Sequence, residues 1–258
     1  MYIQIIGERH SGTVWLDTLI KQNFIFGNKP THIQNRKQYS QTLTRIPLED
    51  LQPWCWKHGF VYKPVINTLK YPGVDYKLEY ESNSSNMGFL IITRDPYNWL
   101  AAMHREPHHV LPSNRNLPFK EFLYKEWHCI RQQRHLERDC PEMMMERNPH
   151  TGQRITNIFE LRSLKMKSFY DVALLAKNCI LIKYEQLMED TERIINNISE
   201  SFRICLLDQS NIKYSVIPNE PYQIYDNVHE CPMLKKEITS NIDWGIENKI
   251  GYYEQRGK

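Results

Sequence analysis

Seven residues near the amino end, Gly7-Glu8-Arg9-His10-Ser11-Gly12-Thr13, are of the types that hold an anion. They follow a β-rich run, Tyr2 to Ile6, and precede apolar residues at helical spacing: Val14, Trp15, Leu16, Leu19 and Ile20. A strand, a glycine-containing loop and a helix opening at Ser-Gly-Thr aim the first helical N–H groups, which have no internal partners, at one place. The helix dipole adds partial positive charge there. Gly12 lets the backbone come close to a phosphate, and Ser11 and Thr13 bring hydroxyl donors. The plainer reading is a Ser/Thr-capped helix after a strand, which is common. Gly7 and Gly12 keep the spacing of G-x-x-x-x-G-K-[ST], but Thr13 and Val14 stand where that pattern has its lysine and its magnesium-holding hydroxyl. ATP or GTP hydrolysis is therefore disfavoured, while binding a phosphorylated nucleotide is not.

Three more places carry chemistry. The apolar run Met87 to Thr93 stops at Arg94-Asp95-Pro96. A guanidinium at the C-terminal end of a parallel strand lies where ligands bind in open α/β sheets, and it grips phosphate bidentately. An ion pair with Asp95 or a helix cap is the competing reading for Arg94. His58 adjoins Lys57, and a histidine titrating near neutrality suits a general base; a packed histidine bonded to backbone is its plain alternative. His104, His108 and His109 follow the Arg94 segment and are read as a pocket wall, an adventitious metal site or a solvated face. The six cysteines, at 55, 129, 140, 179, 205 and 231, form no C-x-x-C pair. His128-Cys129, His135 and Cys140 match no common zinc spacing, so reduced thiols are expected rather than disulfides or metal.

Taken in order, these segments resemble the sulfotransferases that use 3′-phosphoadenosine 5′-phosphosulfate (PAPS). Gly7 to Leu16 is similar to their 5′-phosphosulfate loop. Trp56-Lys57-His58-Gly59-Phe60 falls where many members carry a lysine and a catalytic histidine. Ile91 to Trp99 resembles the 3′-phosphate segment, a strand ending in Arg-(Asn/Asp)-Pro, and Ile182-Lys183-Tyr184-Glu185-Gln186-Leu187 is similar to the (R/K)-Y-E-D-L motif. The ordered set spans residues 3–187.

The resemblance implies transfer of a sulfonate from PAPS to a hydroxyl or amine of a small-molecule or glycan acceptor, without a metal, leaving 3′-phosphoadenosine 5′-phosphate. It implies a nucleotide site of Arg9, His10, Ser11, Gly12, Thr13, Val14, Arg94 and Tyr184. His58 would be the base, Lys57 would steady the sulfonate, and His10 would serve the bridging oxygen. Two positions depart from the family. His10 stands where a lysine usually precedes Ser-Gly-Thr, and Ala102 stands eight residues after Arg94, where a serine is usual. A kinase with a degenerate P-loop, acting on a nucleotide or small molecule, and a catalytically idle nucleotide-binding or scaffold protein of the same fold are the rival readings.

The elements that must position these residues alternate. Strands are expected at 2–6, near 54–62, at 87–93 and at 179–184. Helices are expected after Ser11 and after Pro96, then at 119–138, 157–177 and 187–203. Alternation of this kind predicts an α/β fold, a mainly parallel sheet with helices on both faces, of the P-loop NTPase-like sulfotransferase type, in one domain over 1–258. Hydrophobic residues at 41% and charged residues at 24% suit a chain with a core, and exclude a disordered tail, a collagen-like fibre or a heptad rod. The net charge of +3 is too small to argue for nucleic acid. No apolar run reaches the ~20 residues of a membrane span, and no signal peptide precedes the first strand, so a cytoplasmic protein is expected.

Overall fold

The computed structural model describes residues 2–24, 87–129, 148, 150–151, 153–207 and 232–254. In chain order the elements are β1 (Tyr2–Gly7), α1 (Thr13–Asn23), β2 (Met87–Thr93), α2 (Pro96–Arg105), α3 (Pro112–Arg115), α4 (Phe119–Tyr124), α5 (Ile158–Leu175), β3 (Cys179–Lys183), α6 (Tyr184–Glu189), α7 (Thr191–Phe202), α8 (Pro232–Asn241) and α9 (Trp244–Lys249). The described residues form two compact units. One takes residues 2–24, 87–95 and 171–207; the other takes those of 96–170 and 232–254. The expected strand near 54–62 lies outside the described residues.

The first unit is α/β. Its three strands run parallel in the order β1-β2-β3, with Ile5 opposite Leu90 and Ile91 opposite Leu181. A middle parallel strand is covered on both faces, which is why β2 reads as unbroken apolar sequence; Phe89, Leu90, Ile91 and Ile92 are all buried. Helix α1 buries Leu16, Leu19 and Ile20 in one core with Ile3, Ile5, Ile182 and the α7 residues Ile194, Ile195 and Ile198. Val14, expected on the apolar face of α1, is instead exposed. It occupies the second position of the helix, a step round from that stripe.

The helix expected at 187–203 is two helices. Asp190, at φ −148° and ψ 73°, leaves helical geometry, and its carboxylate accepts the Arg193 N–H at 2.9 Å to start α7. An aspartate cap of this kind is worth ~1 kcal/mol. Arg203, left-handed at φ 52°, ends α7.

The second unit is helical around Trp99, Phe122, Trp127, Ile158 and Ile238. The long helix expected at 119–138 stops at Tyr124, where Lys125 turns extended. Trp127 then donates its backbone N–H to the Ile155 carbonyl at 2.9 Å and pairs with it in an antiparallel bridge, as Cys129 does with Val110. Trp127 reaches the core by that bridge rather than on the face of the helix. Helix α5 covers most of the expected 157–177. Among the described residues no helix is long and apolar enough to cross a membrane.

Candidate functional site

The chain between β1 and α1 is shaped by two close approaches. A Cβ on Gly7 would lie 2.5 Å from the Ile92 carbonyl oxygen and 2.7 Å from Ser11 Oγ, so the strand can end there only without a side chain. Ser11 then folds back. Its N–H reaches the Glu8 carbonyl at 3.2 Å and its hydroxyl donates to the same oxygen at 2.7 Å. Both Ser11 donors expected at a ligand therefore close the loop instead.

The first bond of the helix runs from the Leu16 N–H to the Gly12 carbonyl at 3.0 Å. The N–H groups of Thr13 and Val14 precede it and have no place in the helical ladder. On either side of Ser11 the backbone is left-handed, at φ 60° for His10 and φ 90° for Gly12. Left-handed residues in such a loop turn successive N–H groups toward a concavity that suits an anion. Glu8, Arg9, Ser11 and Thr13 are buried, while His10 and Gly12 are partly exposed and Val14 is open to solvent. Of the two basic side chains on the loop, His10 rather than Arg9 reaches the surface.

The ends of the neighbouring strands close on this loop. Arg94, just past β2 and 7% exposed, donates from Nη1 to the His10 carbonyl at 3.1 Å. Its guanidinium carbon lies 4.8 Å from the centre of the Tyr184 ring. Tyr184, the first residue after β3, meets Trp15 edge to face at 5.8 Å and 70°. The same ring covers Gly12: a Cβ there would come within 2.5 Å of Tyr184 Cδ2. Glu185 completes the junction, its carboxylate accepting the Asp95 N–H at 2.8 Å. The indole N–H of Trp15 is buried with no hydrogen-bond partner among the described residues.

Arg9, His10, Ser11, Gly12, Thr13, Val14, Arg94 and Tyr184 thus all fall on one loop, one helix start and two strand ends of the first unit. Lys57 and His58 lie outside the described residues. Sequence reasoning missed three contacts: the Glu185 latch, the Trp15–Tyr184 pair and the cover of Gly12 by Tyr184. The signal for them was the Tyr-Glu pair straight after an apolar strand, which marks residues at the ligand end of the sheet without saying what they touch.

Other candidate residues have their own surroundings. A ring nitrogen of His104 bonds the Leu117 carbonyl at 2.8 Å, and the ring packs on Phe119 and Phe122, so this histidine holds the end of α2. His108 pairs with Glu106 at 3.2 Å, both half exposed. Ala102 is fully buried, and its methyl supplies no hydroxyl where the resembling family has one. Burial pushes the Cys179 thiol of β3 up to about 12, which keeps it protonated and unreactive. No family model, no curated protein and no solved structure matches this chain.

Proposed function

We propose that this chain is a sulfotransferase of the P-loop-like type, moving a sulfonate from PAPS to a hydroxyl or amine of a small-molecule or glycan acceptor. One observation carries the reading. A loop with two left-handed residues joins the end of a parallel strand to a helix start, and a guanidinium and an aromatic ring from the next two strand ends close on it. The donor set fits an anion. Thr13 and Val14 offer backbone N–H groups, and the dipole of α1 favours negative charge at the same end. His10 lies partly exposed beside them. The loop carries one carboxylate, Glu8, and it is buried.

Sulfonate transfer asks little covalent chemistry of a protein. The acceptor oxygen or nitrogen bonds to sulfur as the bond from sulfur to the bridging phosphate oxygen breaks. The acceptor's proton must go to a base, and the developing negative charge to fixed donors. By the resemblance, His10 donates toward the bridging oxygen. By the resemblance, His58 takes the proton and Lys57 neutralises the sulfonate. No metal and no nucleic acid enter this scheme. We place the protein in the cytoplasm, where the free thiols of Cys129, Cys179 and Cys205 stay reduced.

The test is transfer itself. Incubating the protein with PAPS labelled in its sulfonate and a metabolite extract should move label into an extract component, as read by mass spectrometry. Labelled phosphate moving from ATP with magnesium would support the kinase instead. No transfer from either donor would support an idle nucleotide-binding protein.

A further inference from the structure

We propose that Arg94 is a positioning residue that holds the loop at 8–12 in its anion-receiving shape, rather than the group that reads the 3′-phosphate. The inference rests on the cradle reading above and assigns a different task to the residue that the resemblance gives to the nucleotide.

His10 has a side chain yet sits at φ 60°, a conformation few residues other than glycine adopt. The Ser11–Glu8 turn, with Arg9 and His10 as its central residues, holds His10 from within the loop. A tie from outside the loop adds to this turn: the Arg94 Nη1–H bond to the His10 carbonyl, at 3.1 Å and across 84 positions of sequence. A hydrogen bond to a carbonyl from a charged donor is among the stronger kinds.

The tie is itself anchored. The guanidinium lies over the Tyr184 ring at 4.8 Å, and that ring is wedged between Trp15 and the bare Cα of Gly12. Arg94 therefore touches the loop at His10 while its aromatic platform touches the loop at Gly12. These are the two left-handed residues. The residue is 7% exposed, so these contacts are made inside the protein rather than at its surface. A planar guanidinium can stack on the ring and donate in its own plane at once, whereas an ammonium has no flat face to stack.

Arg94→Ala and Arg94→Lys decide between the two roles. First, amide hydrogen exchange is followed in the ligand-free protein at Ser11 and Leu16, whose N–H groups are bonded to Glu8 and Gly12. A brace predicts faster exchange at both in either variant, with the amides of β1 and β2 unchanged. Second, 3′-phosphoadenosine 5′-phosphate and adenosine 5′-phosphosulfate, which lacks the 3′-phosphate, are titrated against each variant. A brace predicts that both ligands weaken by a similar factor, roughly 10–100-fold, and that lysine rescues little.

Loss confined to the 3′-phosphorylated ligand, or substantial rescue of it by lysine, overturns the proposal. So does unchanged exchange at Ser11 and Leu16. If the wild-type protein binds neither nucleotide, the sulfotransferase reading falls, and loop exchange alone decides the role of Arg94. Should Arg94→Ala fail to fold, Arg94→Lys is judged by the same two criteria.

Discussion

Gly12 is held to glycine by two separate requirements, a left-handed φ of 90° and the Tyr184 ring 2.5 Å from where a Cβ would stand. Only the second involves a partner that can be changed. Gly12→Ala should cost about 1–3 kcal/mol in urea denaturation, and Tyr184→Ala should relieve part of that loss. A double-mutant cycle measures the relief; a coupling of zero would mean that the ring does not set the identity of residue 12. The Tyr184 contact is thus a demand on residue 12 additional to the close approach of a ligand expected from the sequence. Gly12, Arg94 and Tyr184 are legible in the sequence by type and by their places at strand ends. Their mutual contacts are not, because they depend on the register of three strands distant in sequence. His58 belongs to the same scale. In the proposed scheme His58 is the base, so its replacement by alanine should lower turnover ~10²–10⁴-fold while nucleotide affinity holds. Activity should also fall as pH drops through the histidine's titration, since an imidazolium accepts no proton. Near wild-type turnover in His58→Ala would move the base elsewhere.

At the scale of elements, α5 is tied at its start and along its length. Asn157 Oδ1 accepts the Glu160 N–H at 3.0 Å, a side-chain cap on the first turn. Burial raises the Glu160 carboxyl, but hydrogen bonds from the Thr156 N–H, the Thr156 hydroxyl and the Asn148 amide outweigh it, so its pKa lies below the usual glutamate value. A carboxylate depressed on folding stabilises above its unfolded pKa, and that contribution fades as pH falls through the folded value. Stability should therefore decline below about pH 4.3, with a shallower decline in Glu160→Gln measured by denaturant titration at each pH. An equal slope in both proteins would remove Glu160 from the acid response. Further along, Arg162 grips Glu247 of α9 with two bonds, at 2.7 and 3.0 Å, while lying over the Trp99 ring. Both side chains are under 5% exposed. Removing one partner strands a buried charge, so Glu247→Ala should cost roughly 3–5 kcal/mol. Replacing both residues with apolar side chains of similar volume should cost much less. The apolar runs made β1, β2, β3, α1 and α5 legible, because periodicity reports burial directly. The stops at Tyr124 and Asp190 were not, since each depends on a partner remote from the helical pattern or on a single cap.

Across the whole molecule, the described residues show the α/β class with a three-stranded parallel sheet in one unit and helices packed around Trp99 in the other. The mild charge and the 41% hydrophobic content exclude gross classes but choose no ligand. Ligand choice therefore has to be read from binding, and a thermal-shift comparison of 3′-phosphoadenosine 5′-phosphate, ATP with magnesium, and GTP reads it. A ligand that binds only the folded chain stabilises it by about 2.7 kcal/mol at a hundred times its Kd. The account predicts a rise in Tm with the bisphosphate, a smaller one or none with ATP and GTP, and loss of the bisphosphate response in Gly12→Ala. A response to ATP with magnesium alone, or to none of the three, would contradict it.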